Sequence, residues 1–198
     1  MKKERIPLLP DHTYHIYNRG VGEEKLFLTD RNYNFFLEKL NKYILNVADI
    51  YCYCLMPNHF HLLLKIKNEA SLEDNIKGEI QGKLHVKISQ QFSNCFNAYS
   101  KAFNKARNRR GSLFMKPFKR KPVDTEQYLK KIVHYIHLNP VKAKLVEYPH
   151  QWNYSSYNAI TSQSKTKVKK DEVISWFDDL ENFRFYHLSS GSGTGIDL

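Results

Sequence analysis

Residues 54–66 read CLMPNHFHLLLKI and place two histidines one residue apart inside an apolar run. Because the side chains of a strand alternate between its faces, His59 and His61 share one face. The Met-Pro-Asn segment is a turn signal between ADIYCYCL and HFHLLLKIK, which predicts a β-hairpin. Two imidazoles on one rigid element can bind a single metal ion, although they can also be two ordinary half-buried histidines.

The length of the hairpin turn decides which side chains share the histidine face. A three-residue turn places Tyr51 and Tyr53 there, whereas a two-residue turn places Cys52 and Cys54 there. The second register would allow a structural zinc hairpin of two cysteines and two histidines. Cys-x-Cys is tighter than the usual Cys-x-x-Cys spacing of zinc sites, so we rank this alternative below a site completed from elsewhere in the chain.

Periodicity predicts the elements around the hairpin. HTYHIYNRG is typical of a strand that ends in a glycine turn, and a helix is predicted from near Arg31. A long helix is predicted from a cap at Ser71 to about Arg107, with an aromatic stripe that we assign to the core. SLFMKPFK predicts a short edge strand, because Pro117 cannot donate to a strand ladder.

The last clear helix is EQYLKKIVHYIHL, which Asp124 or Thr125 can cap and which Asn139-Pro140 is expected to interrupt. The element order is then strand, helix, strand, strand, helix, strand, helix. It predicts an α+β fold with an antiparallel sheet of about four to five strands, in a split βαβ (ferredoxin-like) arrangement with helices on one side. After residue 160 we expect a linker, one docking helix and a disordered tail.

Charge indicates the class of partner. The chain carries 31 Lys and Arg against 20 Asp and Glu, a net charge of +11. Residues 101–121 contain nine basic residues and no acidic one, with phenylalanines between them, which predicts binding to the phosphates of a nucleic acid. No apolar run reaches the roughly 18 residues of a membrane span, and three cysteines suit a reducing compartment, so we expect a cytoplasmic protein.

A second candidate cluster lies in HYIHLNP. Tyr135 and Asn139 are four residues apart and therefore share a helix face. A tyrosine hydroxyl is a potential covalent nucleophile, and an amide oxygen one turn away is a potential third metal ligand. Spacing alone favours the simpler interpretation, in which Tyr135 is a core aromatic residue and Asn139 a helix cap.

The other histidines receive plain interpretations. His12 and His15 have an odd spacing and point to opposite faces of their strand, so we interpret them as ordinary strand residues. His134 and His137 flank Tyr135 on other faces of the helix, and we expect them to face solvent.

Several of these segments together resemble a known family. MPNHFHLLL is similar to the His-hydrophobic-His motif of HUH endonucleases, and YIHLNPVKAKLV followed by WNYSSY resembles the tyrosine-helix signature of their single-tyrosine transposases. YHIYNRG and GSLFMKPFK resemble further family segments in the same order. The resemblance spans residues 11–160 and is closest to the REP-associated tyrosine transposases and their insertion-sequence relatives. Each motif alone is common, whereas the ordered set is specific.

This resemblance implies an HUH nuclease fold over residues 1–160, followed by the linker, helix and tail of residues 161–198. It implies a transposase that uses a divalent metal, Mg²⁺ or Mn²⁺, and acts on single-stranded or hairpin DNA. By position, His59 and His61 would bind the metal, Asn139 would complete its site, and Tyr135 would form a 5′-phosphotyrosine. Some relatives exchange tyrosine helices between two subunits, so both a homodimer and a monomer are expected states.

The basic segment then supplies the predicted DNA contacts, and the same segment supports a rival class. A DNA- or RNA-binding protein that descends from a transposase but has no chemistry would carry the same basic face. The predicted phosphate contacts are Arg107, Arg109, Arg110, Lys116, Lys119 and Arg120.

Overall fold

The sheet of this protein has four strands, as seen in a computed structural model that describes residues 6–72 and 83–189. All neighbouring strands are antiparallel, in the order β2-β3-β1-β4. The order places the two strands of the hairpin next to the first strand, as in a split βαβ sheet, and confirms the predicted α+β fold. The strands are β1 Thr13–Arg19, β2 Ala48–Met56, β3 His59–Ile66 and β4 Lys119–Pro122.

In the described residues, four helices of ten or more residues and two short ones accompany the sheet. The predicted cap at Thr125 is confirmed, since its hydroxyl oxygen accepts a hydrogen bond from the backbone N–H of Tyr128. The first helix continues into a π-helical turn at Leu40–Ile44, and 3₁₀ turns lie at Glu69–Ser71 and Pro149–Gln151. The helices are α1 Asp30–Lys39, α2 Leu84–Ala106, α3 Glu126–Lys142, α4 Tyr157–Thr161, α5 Lys170–Ser175 and α6 Leu180–Ser189.

The helices cover both faces of the sheet, so the prediction that they lie on one side is wrong. On one face, α1 and α2 bury an aromatic cluster that includes Phe36 and Phe96 against Phe60 of β3. On the other face, α3 buries Ile132 and Ile136 in a second core. The reason is visible in β3, whose residues 60–64 are all buried; a strand that is apolar at consecutive positions needs cover on both sides.

The C-terminal part of the described chain belongs to this second core. Val173, Phe177 and Phe183 are buried there together with the apolar side of α3. Where the sequence predicts one docking helix, α5 and α6 are two helices joined near Phe177. The expected tail falls mainly on residues 190–198, which lie outside the described residues.

Two local predictions differ from the structure. The helix with Tyr135 does not stop at Asn139-Pro140 but continues to Lys142. Pro140 lies in its last turn, where its missing N–H costs one helical hydrogen bond without breaking the helix. The edge strand predicted from SLFMKPFK begins only at its last residue, Lys119, the start of β4, and earlier in that segment Phe114 forms an isolated bridge with Gly20.

The structure describes the long helix from Leu84 onward. Its aromatic stripe is buried as predicted, from Ile88 to Phe103. The proposed cap at Ser71 lies in a 3₁₀ turn, and the segment between this turn and α2 lies mostly outside the described residues. Within the described ranges, no helix combines the length and the apolar character needed to cross a membrane.

Candidate active site

The hairpin turn has two residues, and this fixes what surrounds the histidines. Met56 pairs with His59 and Cys54 pairs with His61, so the turn consists of Pro57 and Asn58 alone. Cys54 therefore lies beside His61 on the same face, as in the second of the two registers considered above. Burial raises the pKa of this thiol, which keeps it protonated. Among the described residues, no group of three or more His, Cys, Asp or Glu side chains can hold a metal ion, so the zinc hairpin is not formed.

Strand β1 adds side chains to the same face. Tyr17 pairs with His61, and Arg19 pairs with His59. His15, two residues earlier, is fully buried, and its Nε2 lies 2.9 Å from Nδ1 of His61. The sequence-based interpretation of His15 as an ordinary strand residue therefore missed a contact to the histidine pair. Strand alternation predicts that His15 shares a face with Tyr17. It does not predict the contact with His61, which depends on the pairing of β1 with β3.

Helix α3 brings Tyr135 and Asn139 over these histidines. The ring centroid of Tyr135 lies 5.4 Å from that of His61 and 6.3 Å from that of His15. The Asn139 side chain lies near both His59 and Tyr135, close enough to shift the pKa of each, and its Nδ2 donates to the Tyr135 backbone carbonyl at 2.8 Å. Asn139 is thus not a helix cap. Tyr135 is half-buried beside polar side chains and is not a fully enclosed core residue.

The electrostatics of the site favour uncharged imidazoles. Burial lowers the pKa of both His59 and His61, and the charge of Arg19 lowers that of His59 further, while the bond from Asn139 opposes this shift. Burial raises the pKa of Tyr135, and its hydrogen bond with Asn139 partly offsets the rise. The site therefore presents neutral nitrogens and a neutral phenol.

His59, His61 and Asn139 together offer uncharged donor atoms that are suitable ligands for a divalent cation. Nδ1 of His59 lies 2.7 Å from the Asn58 side-chain oxygen, and Nδ1 of His61 is occupied by His15. Nε2 of each ring is thereby left as the nitrogen for a metal, and the Asn139 amide can add an oxygen. Imidazole nitrogens suit Mn²⁺ and other transition metals, whereas Mg²⁺ prefers oxygen ligands.

Four of the six predicted DNA contacts have exposed side chains: Arg107, Arg110, Lys116 and Lys119. They belong to an acid-free stretch, residues 83–122, which contains eleven Lys or Arg and no Asp or Glu. The stretch therefore carries a positive charge equal to the net charge of the whole chain.

The other two predicted contacts have partners inside the protein. Nε of Arg109 lies 2.9 Å from a carboxylate oxygen of Glu24, and Nη2 donates to the Ser112 carbonyl at 3.0 Å. Arg109 therefore anchors the loop, and its contact with phosphate stays a prediction. The guanidinium of Arg120 stacks over the Phe118 ring at 4.1 Å and is only partly exposed.

A groove that the sequence did not suggest runs between α2 and the loop of residues 111–118. It encloses about 490 Å³, and on α2 it is lined mainly by a row of small polar residues that flanks the aromatic stripe. The loop is fastened to β1, because the Met115 N–H donates to the Arg19 carbonyl at 2.9 Å. The groove thus ends at the strand that carries the cross-strand partner of His59. Its lining residues on α2 are Ser89, Ser93, Phe96, Asn97, Ser100, Lys101 and Asn104.

His134 and His137 are buried, so the prediction that they face solvent is wrong. His137 lies between the Ser156 hydroxyl, at 2.8 Å from its Nε2, and His187 of α6, at 3.0 Å from its Nδ1. His134 is 1% exposed and packs edge-on to Tyr186. The helices after residue 160 cover this side of α3; a docking helix was expected there, but not its contact with His134 and His137.

No family model matches the chain, and no curated protein does. Among solved structures, the chain is similar to a REP-associated tyrosine transposase bound to a REP hairpin. The TM-score is 0.59 at 16% sequence identity, over 82% of this chain and 87% of that one. At this level of identity, the similarity shows a shared fold.

Proposed function

We propose that this protein is a divalent-metal-dependent transposase that cleaves and rejoins single-stranded DNA, with Tyr135 as its nucleophile. The observation that carries the proposal is the meeting of α3 and the hairpin. Tyr135 lies against His61, and Asn139 bonds to the Tyr135 carbonyl and lies close enough to His59 to raise its pKa. The ordered motifs and the fold shared with a transposase support the same conclusion independently.

In the proposed reaction the phenolic oxygen of Tyr135 attacks a phosphorus of the DNA strand. The bond from phosphorus to the 3′ oxygen breaks, the 5′-phosphate stays on the tyrosine, and a 3′-hydroxyl is released. The reverse attack by a 3′-hydroxyl rejoins strands, since the phosphotyrosine keeps the energy of the phosphodiester. A divalent ion, Mg²⁺ or Mn²⁺, held by His59, His61 and Asn139 would neutralise the charge that develops on the phosphate.

The resting state of Tyr135 suits a nucleophile that is activated only when substrate enters. Burial holds its pKa above the ordinary value of 10.0, so the hydroxyl keeps its proton at neutral pH. The bond with Asn139 favours the phenolate and therefore acts in the direction that the reaction needs. Asn139 would thus serve both the nucleophile and the histidine side of the site.

The groove beside α2 is the proposed path for part of the DNA strand. None of its lining residues is acidic, and Lys101 and Lys116 place two exposed cations at its rim. Arg107, Arg110 and Lys119 extend the positive surface beyond it.

Covalent trapping tests the proposal. The protein is incubated with Mn²⁺ and a pool of single-stranded hairpins whose flanking sequences are randomised, and adducts that survive denaturation are counted. A label on the 3′ end of the DNA should move with the protein, whereas a 5′ label should not. Tyr135→Phe should abolish the adduct and leave hairpin binding unchanged.

Tyr128→Phe is the matched control, because Tyr128 lies two turns earlier on the same helix and is also half-buried. It should keep the adduct. An adduct that persists in Tyr135→Phe would show that the nucleophile is another residue. Tight hairpin binding without any adduct would favour the non-catalytic DNA-binding protein.

A further inference from the structure

His15 is a buried polar residue that the proposed reaction does not use. Its side chain is 0% exposed, stacks on Tyr17 with ring centroids 4.9 Å apart, and meets Nδ1 of His61 through Nε2 at 2.9 Å. Its other nitrogen, Nδ1, is buried without a hydrogen-bond partner in the described part of the chain. Such an orphaned polar atom destabilises a fold, so the presence of a histidine here calls for a reason other than stability.

The bond between the two rings ties their tautomers together. In one arrangement His61 carries its proton on Nδ1 and donates to Nε2 of His15, which leaves Nε2 of His61 as a free lone pair. In the other, His15 donates, and the proton of neutral His61 sits on Nε2, where it blocks a metal.

We propose that His15 is a positioning residue that accepts the Nδ1–H of His61 and thereby holds Nε2 of His61 unprotonated and correctly aimed for a divalent cation. This inference rests on the proposed function, which supplies the cation. Metal-binding histidines commonly donate their second N–H to a carboxylate or a carbonyl, and changes to such partners weaken metal binding about 10- to 100-fold. Here a neutral imidazole takes that place, so the partner orients His61 without adding negative charge.

Mn²⁺ titration of the full chain without DNA tests the inference. His15→Leu removes the acceptor and should weaken Mn²⁺ binding by about 10-fold or more, while the melting temperature stays the same or rises because the orphaned nitrogen is gone. His15→Gln places an amide oxygen near the position of Nε2 and should restore most of the affinity. His61→Ala should abolish binding.

His134→Leu is the matched control. His134 is equally buried, has no hydrogen-bond partner for either ring nitrogen in the described residues, and packs against α6. The substitution should leave Mn²⁺ affinity unchanged. If His15→Leu binds as tightly as the parent while His61→Ala does not bind, the positioning role is overturned and the proposed metal site stands. Equal losses in His15→Leu and His134→Leu would likewise overturn it, as a general effect of core substitution.

A second readout does not depend on metal binding. Nitrogen-15 NMR of the imidazole rings should find His61 protonated at Nδ1 in the parent protein and shifted toward the other tautomer in His15→Leu. Protonation of His61 at Nε2 in the parent would overturn the inference. If the parent protein binds no Mn²⁺, the metal part of the proposed function fails, and the NMR result still decides the tautomer.

Discussion

Acidification should unfold this protein through the histidines buried between α3 and α6. His134 and His187 are 1% and 3% exposed, and burial lowers their pKa values to about 4 and about 3. Burial also lowers the pKa of His137, which lies between them and the Ser156 hydroxyl. The native state therefore holds these rings neutral, whereas the unfolded chain lets them take up protons near their ordinary pKa of about 6.5.

The sign and the size follow from this difference. Because the unfolded state binds more protons, the free energy of unfolding falls as the pH drops below about 6.5. Above that value the histidines are neutral in both states, and the protein keeps its full stability. At pH 5 each histidine that protonates only on unfolding favours the unfolded state by about 2 kcal/mol. His134 and His187 together should lower stability by about 4 kcal/mol, and His137 acts in the same direction. A loss of this size is a large part of the roughly 5–15 kcal/mol of a typical domain.

Urea unfolding at pH 7.5 and pH 5, followed by circular dichroism, measures the effect. His134→Leu should remove about 2 kcal/mol of the pH dependence, since leucine does not titrate and no hydrogen bond of the ring is lost. The reasoning is refuted if stability falls by less than about 1 kcal/mol between the two pH values, or if His134→Leu changes nothing.

Two further predictions concern the basic loop and its neighbour. Arg109→Ala should lower stability by about 2 kcal/mol in urea unfolding, because it breaks the ion pair with Glu24 and the hydrogen bonds to the loop. Arg110→Ala should leave stability unchanged and should flatten the salt dependence of DNA binding by about 0.7 in log–log slope. Equal salt slopes for Arg110→Ala and the parent would contradict the assignment of Arg110 as a phosphate contact. Gly20→Ala should lower the free energy of unfolding by about 2 kcal/mol or more in thermal unfolding, because the added methyl group would overlap the backbone carbonyl of Glu24. Gly22→Ala should lower it by only about 1 kcal/mol, because its methyl group meets open space and only the positive φ is unfavourable.

Local patterns predicted the parts of the fold that depend on neighbours in sequence. The hairpin followed from strand alternation on both sides of Pro57-Asn58, and the helix with Tyr135 followed from its periodicity and the cap at Thr125. The stop at Pro140 was wrong because a proline in a last turn removes only one hydrogen bond, which the packing of the helix outweighs. A helix end is therefore decided by tertiary contacts that the local sequence does not contain.

The parts that sequence reasoning missed depend on pairing between distant elements. His15 joins the site only because β1 lies beside β3 in the sheet, a contact across 46 residues. The burial of His134 and His137 depends on α6, which lies about 50 residues further along the chain. The meeting of Tyr135 with His61 is of the same kind, and here the resemblance to a family, not the spacing, suggested it. Arg109 was misjudged because its partner, Glu24, is equally remote.

The candidate site is notable for the charge that it lacks. The groups that shift the pKa values of His59, His61 and Tyr135 in the described residues are imidazoles, an arginine, phenols, an amide and a thiol, and no carboxylate is among them. Nothing in this set compensates the charge of a divalent cation, and Arg19 opposes it. A DNA phosphate would bring the missing negative charge, and the acid-free stretch of residues 83–122 offers a positive surface that would attract a DNA strand to the protein. Because the cation site is neutral, a phosphodiester bound beside it would add the negative charge that strengthens the binding of the cation. We therefore expect cation and strand to bind with mutual reinforcement.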